Sequence, residues 1–352
     1  MRALVLSGGE GSRLRPITHT NAKQLIPVAN RPILFSVLDD VAEAGIVEVG
    51  IVVGQTADEV RAAVGDGSAW GLRVTYIPQE APLGLAHAVL TARDFVLGEP
   101  FVLYLGDNLL LEGITRFVRE FERHRPDAQI FLARVPEPER FGVAVLEGDR
   151  VVRLVEKPRE HVSDLALVGV YLFDDQVLEA AASLTPSWRG EYEITEAIQW
   201  LIDHGRTVRA EMLTGWWKDT GRPEDLLEAN RMMLATLTPR VEGEVDDASR
   251  LEGPVAIERG AKVVRSRILG PAIVGEGTVV EDSEVGPNVS LSAGCRIEAS
   301  SVVDSIVMEG CRVSGVLGLS GSLLGRAVEV RRSGRRGLRR LVVGDQSQVE
   351  VD

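Results

Sequence analysis

The chain has 352 residues, 45% of them apolar and 26% charged, which is ordinary globular composition for two domains or one large one. No apolar run reaches the ~18 residues that a membrane-spanning helix needs. The formal net charge of −13 argues against wholesale binding to nucleic acid.

Charge is unevenly spread. Residues 326–340 carry seven arginines (326, 331, 332, 335, 336, 339 and 340) against one acid, Glu329, so this segment counts as +6 and the remainder as −19. An acidic protein of this kind must gather positive charge locally if it is to bind phosphates. The two cysteines, Cys295 and Cys311, form no metal-binding spacing and imply no disulfide framework, which fits a reducing, cytoplasmic setting. The opening MRALVLSGGEGSR is too short in apolar residues for a signal sequence and reads as a first buried strand entering a glycine loop.

From there the first ~235 residues alternate strands with amphipathic helices. Strands are predicted at 3–6, 49–53, 74–77, 101–105 and 130–135, and helices at 33–44, 57–64, 85–95 and 114–123. Such alternation predicts an α/β domain with a mainly parallel sheet. After Arg134 the pattern changes: 143–146 and 151–155 flank Glu147-Gly148-Asp149-Arg150 as an inserted hairpin.

Near residue 250 the regime changes again. Apolar side chains recur every sixth position at Ile273, Val279, Val285, Leu291, Ile297 and Val303, then at Val307, Val313 and Leu319, punctuated by glycines. That period is the signature of a hexapeptide parallel β-helix. The predicted division is therefore 1–236 for the α/β domain, 237–250 for a linker and 251–352 for the β-helix with an arginine-rich cap.

Ser7-Gly8-Gly9-Glu10-Gly11-Ser12-Arg13-Leu14 follows the first strand directly. Glycines let backbone N–H groups approach a phosphate closely. No GK[ST] follows, so this is not a P-loop, and Leu14 takes the place of a dinucleotide fingerprint's third glycine. Taken alone, the loop could equally be a plain strand-to-helix turn. Arg13 and Lys23 flank it as two cations ten residues apart, able to hold a triphosphate or simply to face solvent. Asp107 ends the strand 101–105 and Asp219 stands in Trp217-Lys218-Asp219-Thr220-Gly221; the pair could ligate Mg²⁺ or cap local structure.

The stretch LSGGEGSRLRPIT followed by AKQLIPV resembles the signature of the sugar-1-phosphate nucleotidylyltransferases. The Lys23-Gln24-Leu25 variant is most similar to the glucose-1-phosphate thymidylyltransferases, and the appended coil to their long form. The resemblance covers the whole α/β region, about two-thirds of the chain. It implies a Rossmann-like domain followed by a left-handed β-helix, a homo-oligomer, and transfer of a nucleotidyl group from dTTP to glucose-1-phosphate with Mg²⁺ as cofactor.

By the same resemblance, Arg13 and Lys23 are catalytic. Leu6, Gly8, Gly9, Gly11, Ser12, Gln79, Gly84 and Asp107 bind the nucleotide, and Asp107 with Asp219 holds the metal. Asn108, Gly142, Glu156, Lys157, Val168, Arg189 and Trp217 bind the sugar phosphate. Three departures stand out: Phe141 where tyrosine is usual, Tyr192 where leucine is common, and His87 where glutamine is more frequent. The pattern also leaves open UTP or another sugar phosphate, or a non-catalytic regulatory subunit; retention of Arg13, Lys23, Asp107, Lys157, Arg189 and Asp219 together speaks against the last. The coil has no histidine after His204 to serve as an acyltransferase base, so it is expected to be structural.

Overall fold

The computed structural model describes residues 1–9, 11–332 and 340–351. These form two compact units, one of residues 1–10 and 34–219, the other of 11–33 and 220–352. This grouping differs from the expected 1–236, 237–250 and 251–352, because residues 11–33 pack with the C-terminal half.

Strand β1 (Arg2–Ser7) leads the first unit; β2 (Pro27–Val28) and β3 (Arg31–Pro32) belong to the second. The first unit continues with α1 (Ile33–Glu43), β4 (Glu48–Val53), α2 (Ala57–Val64), β5 (Arg73–Pro78), α3 (Leu85–Thr91), α4 (Arg93–Val96) and β6 (Phe101–Leu105). The apolar runs of β1, β4 and β6 are buried, as strands covered on both faces must be. Strands β5, β4, β1 and β6 lie side by side and parallel, so their carboxyl ends share one edge. The helix expected over 85–95 breaks at Ala92; the Thr91 hydroxyl bonds back to the His87 carbonyl at 2.9 Å, competing with regular helix.

Beyond β6 come β7 (Asn108–Leu110), α5 (Thr115–His124), β8 (Ala128–Arg134), β9 (Gly142–Glu147), β10 (Arg150–Glu156), β11 (Leu165–Phe173), α6 (Gln176–Ser183), α7 (Ile194–Asp203), β12 (Val208–Met212) and β13 (Trp217–Asp219). Here the sheet becomes mixed. β11 runs antiparallel to β6, β8 and β9, and the expected β9–β10 hairpin branches from its N-terminal half. All nine residues of β11 are buried, consistent with a strand in the middle of a nine-stranded sheet.

In the second unit, α8 (Pro223–Ala235) precedes three parallel sheets of seven, seven and five short strands, the arrangement of a left-handed parallel β-helix. The coil starts inside the expected linker: Arg240–Val241 and Glu244–Val245 already pair with the next turn. Its true repeat also differs from six. Val255 pairs with Ala272 and Ala272 with Val289, so a full turn is 17 residues rather than 18. The slip moves three expected interior positions. Val274, Val280 and Val302 fill the core where Ile273, Val279 and Val303 were predicted, whereas Val285, Leu291, Ile297, Val307, Val313 and Leu319 do point inward. Ile273 faces the other way, against Leu234 of α8 and Ala256. Tight corners are held by a serine ladder: the hydroxyls of Ser249, Ser266 and Ser283 accept the N–H of Ser266, Ser283 and Ser300, each at 3.0 Å. Of the arginine-rich segment, Arg335, Arg336 and Arg339 lie outside the described residues.

Candidate active site

The shared carboxyl edge of β1, β4, β5 and β6 is where open α/β sheets offer a ligand crevice. Leu6 stands one residue before the end of β1, and its carbonyl accepts the Gly106 N–H at 2.9 Å, aligning Gly8-Gly9 with Asp107. Gly8 lies against Gly54, whose place a Cβ would take only 2.8 Å from the Gly8 carbonyl oxygen. A Cβ on Gly8 itself would stand 3.4 Å from Gln79 Oε1. The glycines therefore allow main chain, not side chains, to line this corner.

Gln79 follows β5, and its N–H is fixed by the Val53 carbonyl at 2.9 Å. Its side-chain amide meets His87 Nδ1 through Nε2 at 2.8 Å. The histidine is thus a helix residue orienting Gln79, with its ring 6.2 Å from that of Tyr192. Gly84 has φ of 108°, and a Cβ there would lie 2.5 Å from the Tyr192 carbonyl oxygen. Tyr192 also donates its N–H to Leu83 O at 2.7 Å and accepts from Ala86 N at 3.1 Å, so the 79–87 loop is pinned by main chain at Tyr192.

Asp219 belongs to a short ladder, and Asp107 immediately precedes its other strand. In the β7–β13 pair, Asp219 lies opposite Asn108, the residue after Asp107. Asn108 is 2% exposed and doubly held: Trp217 Nε1 donates to its Oδ1 at 2.5 Å, and its Nδ2 donates to Asp107 Oδ1 at 3.2 Å. Gly169, next to the fully buried Val168, must lack a side chain, because a Cβ would fall 2.5 Å from Asn108 Oδ1. Trp217 is braced in turn by the ring of Phe141, edge-on at 5.3 Å. The tyrosine that Phe141 replaces would add only a hydroxyl to this apolar contact.

Glu156 ends β10 opposite Gly142 in the hairpin. Its Oε2 accepts the Thr195 hydroxyl at 3.2 Å, and a Cβ on Gly142 would be 2.5 Å from Thr195 Cγ2 and 3.0 Å from Glu156 Oε2. Lys157 Nζ is 3.7 Å and Arg189 Nη1 3.6 Å from Glu156 Oε1. Lys157 sits in the left-handed region at φ 41°, with its N–H on the Phe141 carbonyl, so the chain turns sharply at this lysine. Arg189 also pairs with Glu191 at 2.6 Å and with Glu193 at 3.0 Å. A guanidinium expected to grip a phosphate is here surrounded by three carboxylates. Burial, then the charge of Glu156, raises the Glu193 carboxyl above its ordinary range.

In the second unit, Gly11 adopts φ of 63°, and a Cβ there would meet Thr18 Cγ2 at 2.9 Å and Lys23 Cβ at 3.1 Å. The Thr18 hydroxyl closes the loop by bonding Gly11 O at 2.8 Å. Ser12 and Arg13 open the 3₁₀ turn Ser12–Leu14, and Lys23 opens a second at Lys23–Leu25. The compact fold of 11–25 thus brings the stem of Lys23 against Gly11. Residues that the sequence reading passed over are Thr195, Glu193, Gly169 and Gly54. Each is a support for a named residue, and its role is legible only once β4 lies beside β1 and β10, β11 and the start of α7 are in place. Among the described residues, no group of three His, Cys, Asp or Glu side chains gathers as a metal cage, and no helix is long and apolar enough to cross a membrane.

A strand-edge glycine corner with carboxylates beside it suits nucleotidyl transfer, and the chain belongs to the nucleotidyl transferase family, which it matches over residues 2–236. Members generally use a divalent metal. Over its full length it is 55% identical to a glucose-1-phosphate thymidylyltransferase of Streptomyces griseus, covering 99% of that protein. It is 51% identical to one of Streptomyces antibioticus, again covering 99%. A Bacillus anthracis protein solved in complex with sucrose superposes with a TM-score of 0.63 at 35% identity, covering 66% of this chain and 94% of that one.

Proposed function

We propose that this protein transfers a thymidylyl group from dTTP to glucose-1-phosphate, yielding dTDP-glucose and pyrophosphate. The observation that carries the reading is the alignment of Gly8, Gln79 and Asp107 beyond the carboxyl ends of three parallel strands of one sheet. Full-length likeness to enzymes named for this reaction supports the choice of substrates.

A phosphomonoester is already ionised at neutral pH, so the acceptor needs no general base. Its oxygen attacks the α-phosphorus in line and pyrophosphate leaves; catalysis is positioning and charge neutralisation. Gln79 and the Gly84 main chain read the base edge, with His87 holding Gln79. Main chain at Leu6, Gly8, Gly9, Gly11 and Ser12 lies along the nucleotide. Arg13 and Lys23 neutralise the triphosphate and the departing pyrophosphate. Glu156, Gly142, Val168 and Asn108 receive the sugar, with Trp217 behind Asn108, while Lys157 and Arg189 hold its phosphate. For Arg189 this means exchanging a carboxylate partner for the phosphate.

Asp107 and Asp219 would hold Mg²⁺. Two hard oxygen donors at the end of one ladder, with no third protein carboxylate gathered among the described residues, suit an ion that keeps water and takes phosphate oxygens as ligands. When bound, it supplies positive charge against the reacting phosphates. We place the enzyme in the cytoplasm, as its two cysteines without a metal or disulfide pattern suggested, and as a homo-oligomer, for which the faces and edges of the β-helix are a natural contact.

The test is pyrophosphate release with glucose-1-phosphate and Mg²⁺, comparing dTTP, UTP, CTP, GTP and ATP, with Asp107→Ala alongside. Strong preference for dTTP, abolished in the variant, is expected. Preference for another triphosphate would overturn the assignment of the base, and silence with all five would overturn the enzyme reading.

A further inference from the structure

We propose that the β-helix is a positioning scaffold for the loop that carries Arg13 and Lys23, acting through Asp345 in its last turn and Asn230 on α8. The argument lies wholly within the second unit, to which residues 11–33 belong.

The loop is fastened at two places. At its middle, Asp345 Oδ2 accepts from Asn21 Nδ2 at 2.8 Å and from Thr20 Oγ1 at 3.0 Å. The other carboxylate oxygen accepts the Arg326 N–H at 2.7 Å, so Asp345 is itself fixed by the coil. Asn21 is 4% exposed and also donates to the Ile17 carbonyl, which ties the clamp to the turn between Arg13 and Lys23. The neighbouring Gly344 touches the same turn, since a Cβ there would lie 3.1 Å from the Pro16 carbonyl oxygen and 3.3 Å from Pro16 Cβ.

At its far end, the loop makes the β2–β3 hairpin, whose tip residues Ala29 and Asn30 are both left-handed, at φ 48° and 62°. Asn230 Oδ1 accepts the Ala29 N–H at 2.9 Å and the Ser290 hydroxyl at 2.5 Å. Asn30 Nδ2 donates to the Leu291 carbonyl at 2.6 Å, and its Oδ1 accepts from Ser292 at 3.2 Å. Asn230 and Ser290 are buried, at 1% and 0% exposure. Buried, satisfied polar networks of this kind specify one geometry and exclude slippage. Lys23 lies between the two fastenings.

This inference rests on the assignment of Arg13 and Lys23 to the triphosphate. Two readouts keep the two claims apart. The first is amide hydrogen exchange of the full-length protein, comparing wild type, Asp345→Ala, Gly344→Ala and the control Arg267→Ala, which removes an exposed ion pair elsewhere on the coil. Asp345→Ala and Gly344→Ala should speed exchange across residues 16–25, and the control should not. Unchanged exchange in both would overturn the scaffold. The second is steady-state kinetics. In Asp345→Ala the KM for the triphosphate that wild type uses should rise about tenfold, the usual scale for losing a hydrogen-bonded charged partner. The KM for the sugar phosphate should stay within about twofold on the same reasoning. Asp345→Asn, which keeps an acceptor, should recover most of the loss. Faster exchange with an unchanged triphosphate KM would overturn the positioning role. If wild type turns over no triphosphate, the functional reading fails, and the exchange comparison still decides the coupling.

Discussion

Asp40 on α1 is the carboxyl whose ionisation the fold opposes most clearly. Burial, offset in part by a 2.7 Å hydrogen bond from the Tyr104 hydroxyl, pushes it from 3.8 up to about 7, and the charges of Glu43 and Asp39 add to the rise. Tyr104 is fully buried on β6, three residues before Asp107, so the pair joins α1 to the strand that leads into Asp107. Between 3.8 and about 7 the folded protein binds a proton that the unfolded chain has released. Stability from this group is therefore complete below pH 3.8 and is lost as pH rises through about 7. The full span corresponds to about 4 kcal/mol, of which about 2 kcal/mol falls between pH 5.5 and 8. Asp40→Asn keeps an oxygen to accept from Tyr104 but cannot ionise. Urea unfolding followed by tryptophan fluorescence should show the variant gaining about 2 kcal/mol on wild type as pH is raised from 5.5 to 8. Should the variant and wild type keep a constant difference across that range, the buried-carboxyl argument is wrong.

Three further outcomes follow from the site. Gly142→Ala drives a methyl into Thr195 and Glu156, so the KM for glucose-1-phosphate should rise roughly tenfold or more while that for dTTP stays near wild type; equal effects on both would show a general collapse instead. His87→Phe removes the ring nitrogen that holds Gln79 and should cost about 1 kcal/mol in discrimination between dTTP and CTP, read as a fivefold narrowing of their kcat/KM ratio; an unchanged ratio would take Gln79 out of base reading. Gly169→Ala should lower kcat by at least about tenfold, because Asn108 cannot yield to the new methyl without breaking its bond to Trp217 or to Asp107, and titrating activity with Mg²⁺ should show a raised requirement.

What could be read before folding, and what could not, divides along physical lines. Short-range patterns survived well: β6 at Phe101–Leu105 and α2 at Ala57–Val64 fall where buried runs and helical spacing placed them. The residues assigned to substrate in the proposed mechanism came from the resemblance, because a glycine loop and lone carboxylates read by themselves left plain turns and caps equally open. Their supports were legible by neither route. Nothing near Thr195 in sequence announces that its methyl and hydroxyl fill the space left by Gly142, 53 positions earlier, and only the β9–β10 ladder and the start of α7 bring them together. Asp345 is a more extreme case, as a polar residue in an irregular tail whose partners, Thr20 and Asn21, lie at the other end of the chain.

The coil shows why a correct pattern can still carry a wrong register. In a strand, neighbouring side chains face opposite ways, so a slip of one residue exchanges inside for outside. A strict six-residue count accumulates such a slip whenever a turn of 17 residues intervenes, and apolar pairs such as Ile273-Val274 and Val302-Val303 hide it because either member satisfies the count. At Ile273 the hidden choice has a consequence. The outward side chain packs on Leu234 of α8, and Ala29 of the loop hairpin packs on the same cluster. An aliphatic residue facing out of a β-helix would be a liability in solvent; here it forms the apolar side of the contact whose polar side is Asn230. Adjacent turns of the coil thus supply Ile273 beneath the hairpin and Ser290 and Ser292 around it, which is how a repetitive structural element comes to hold the single loop of residues 11–33 in one place.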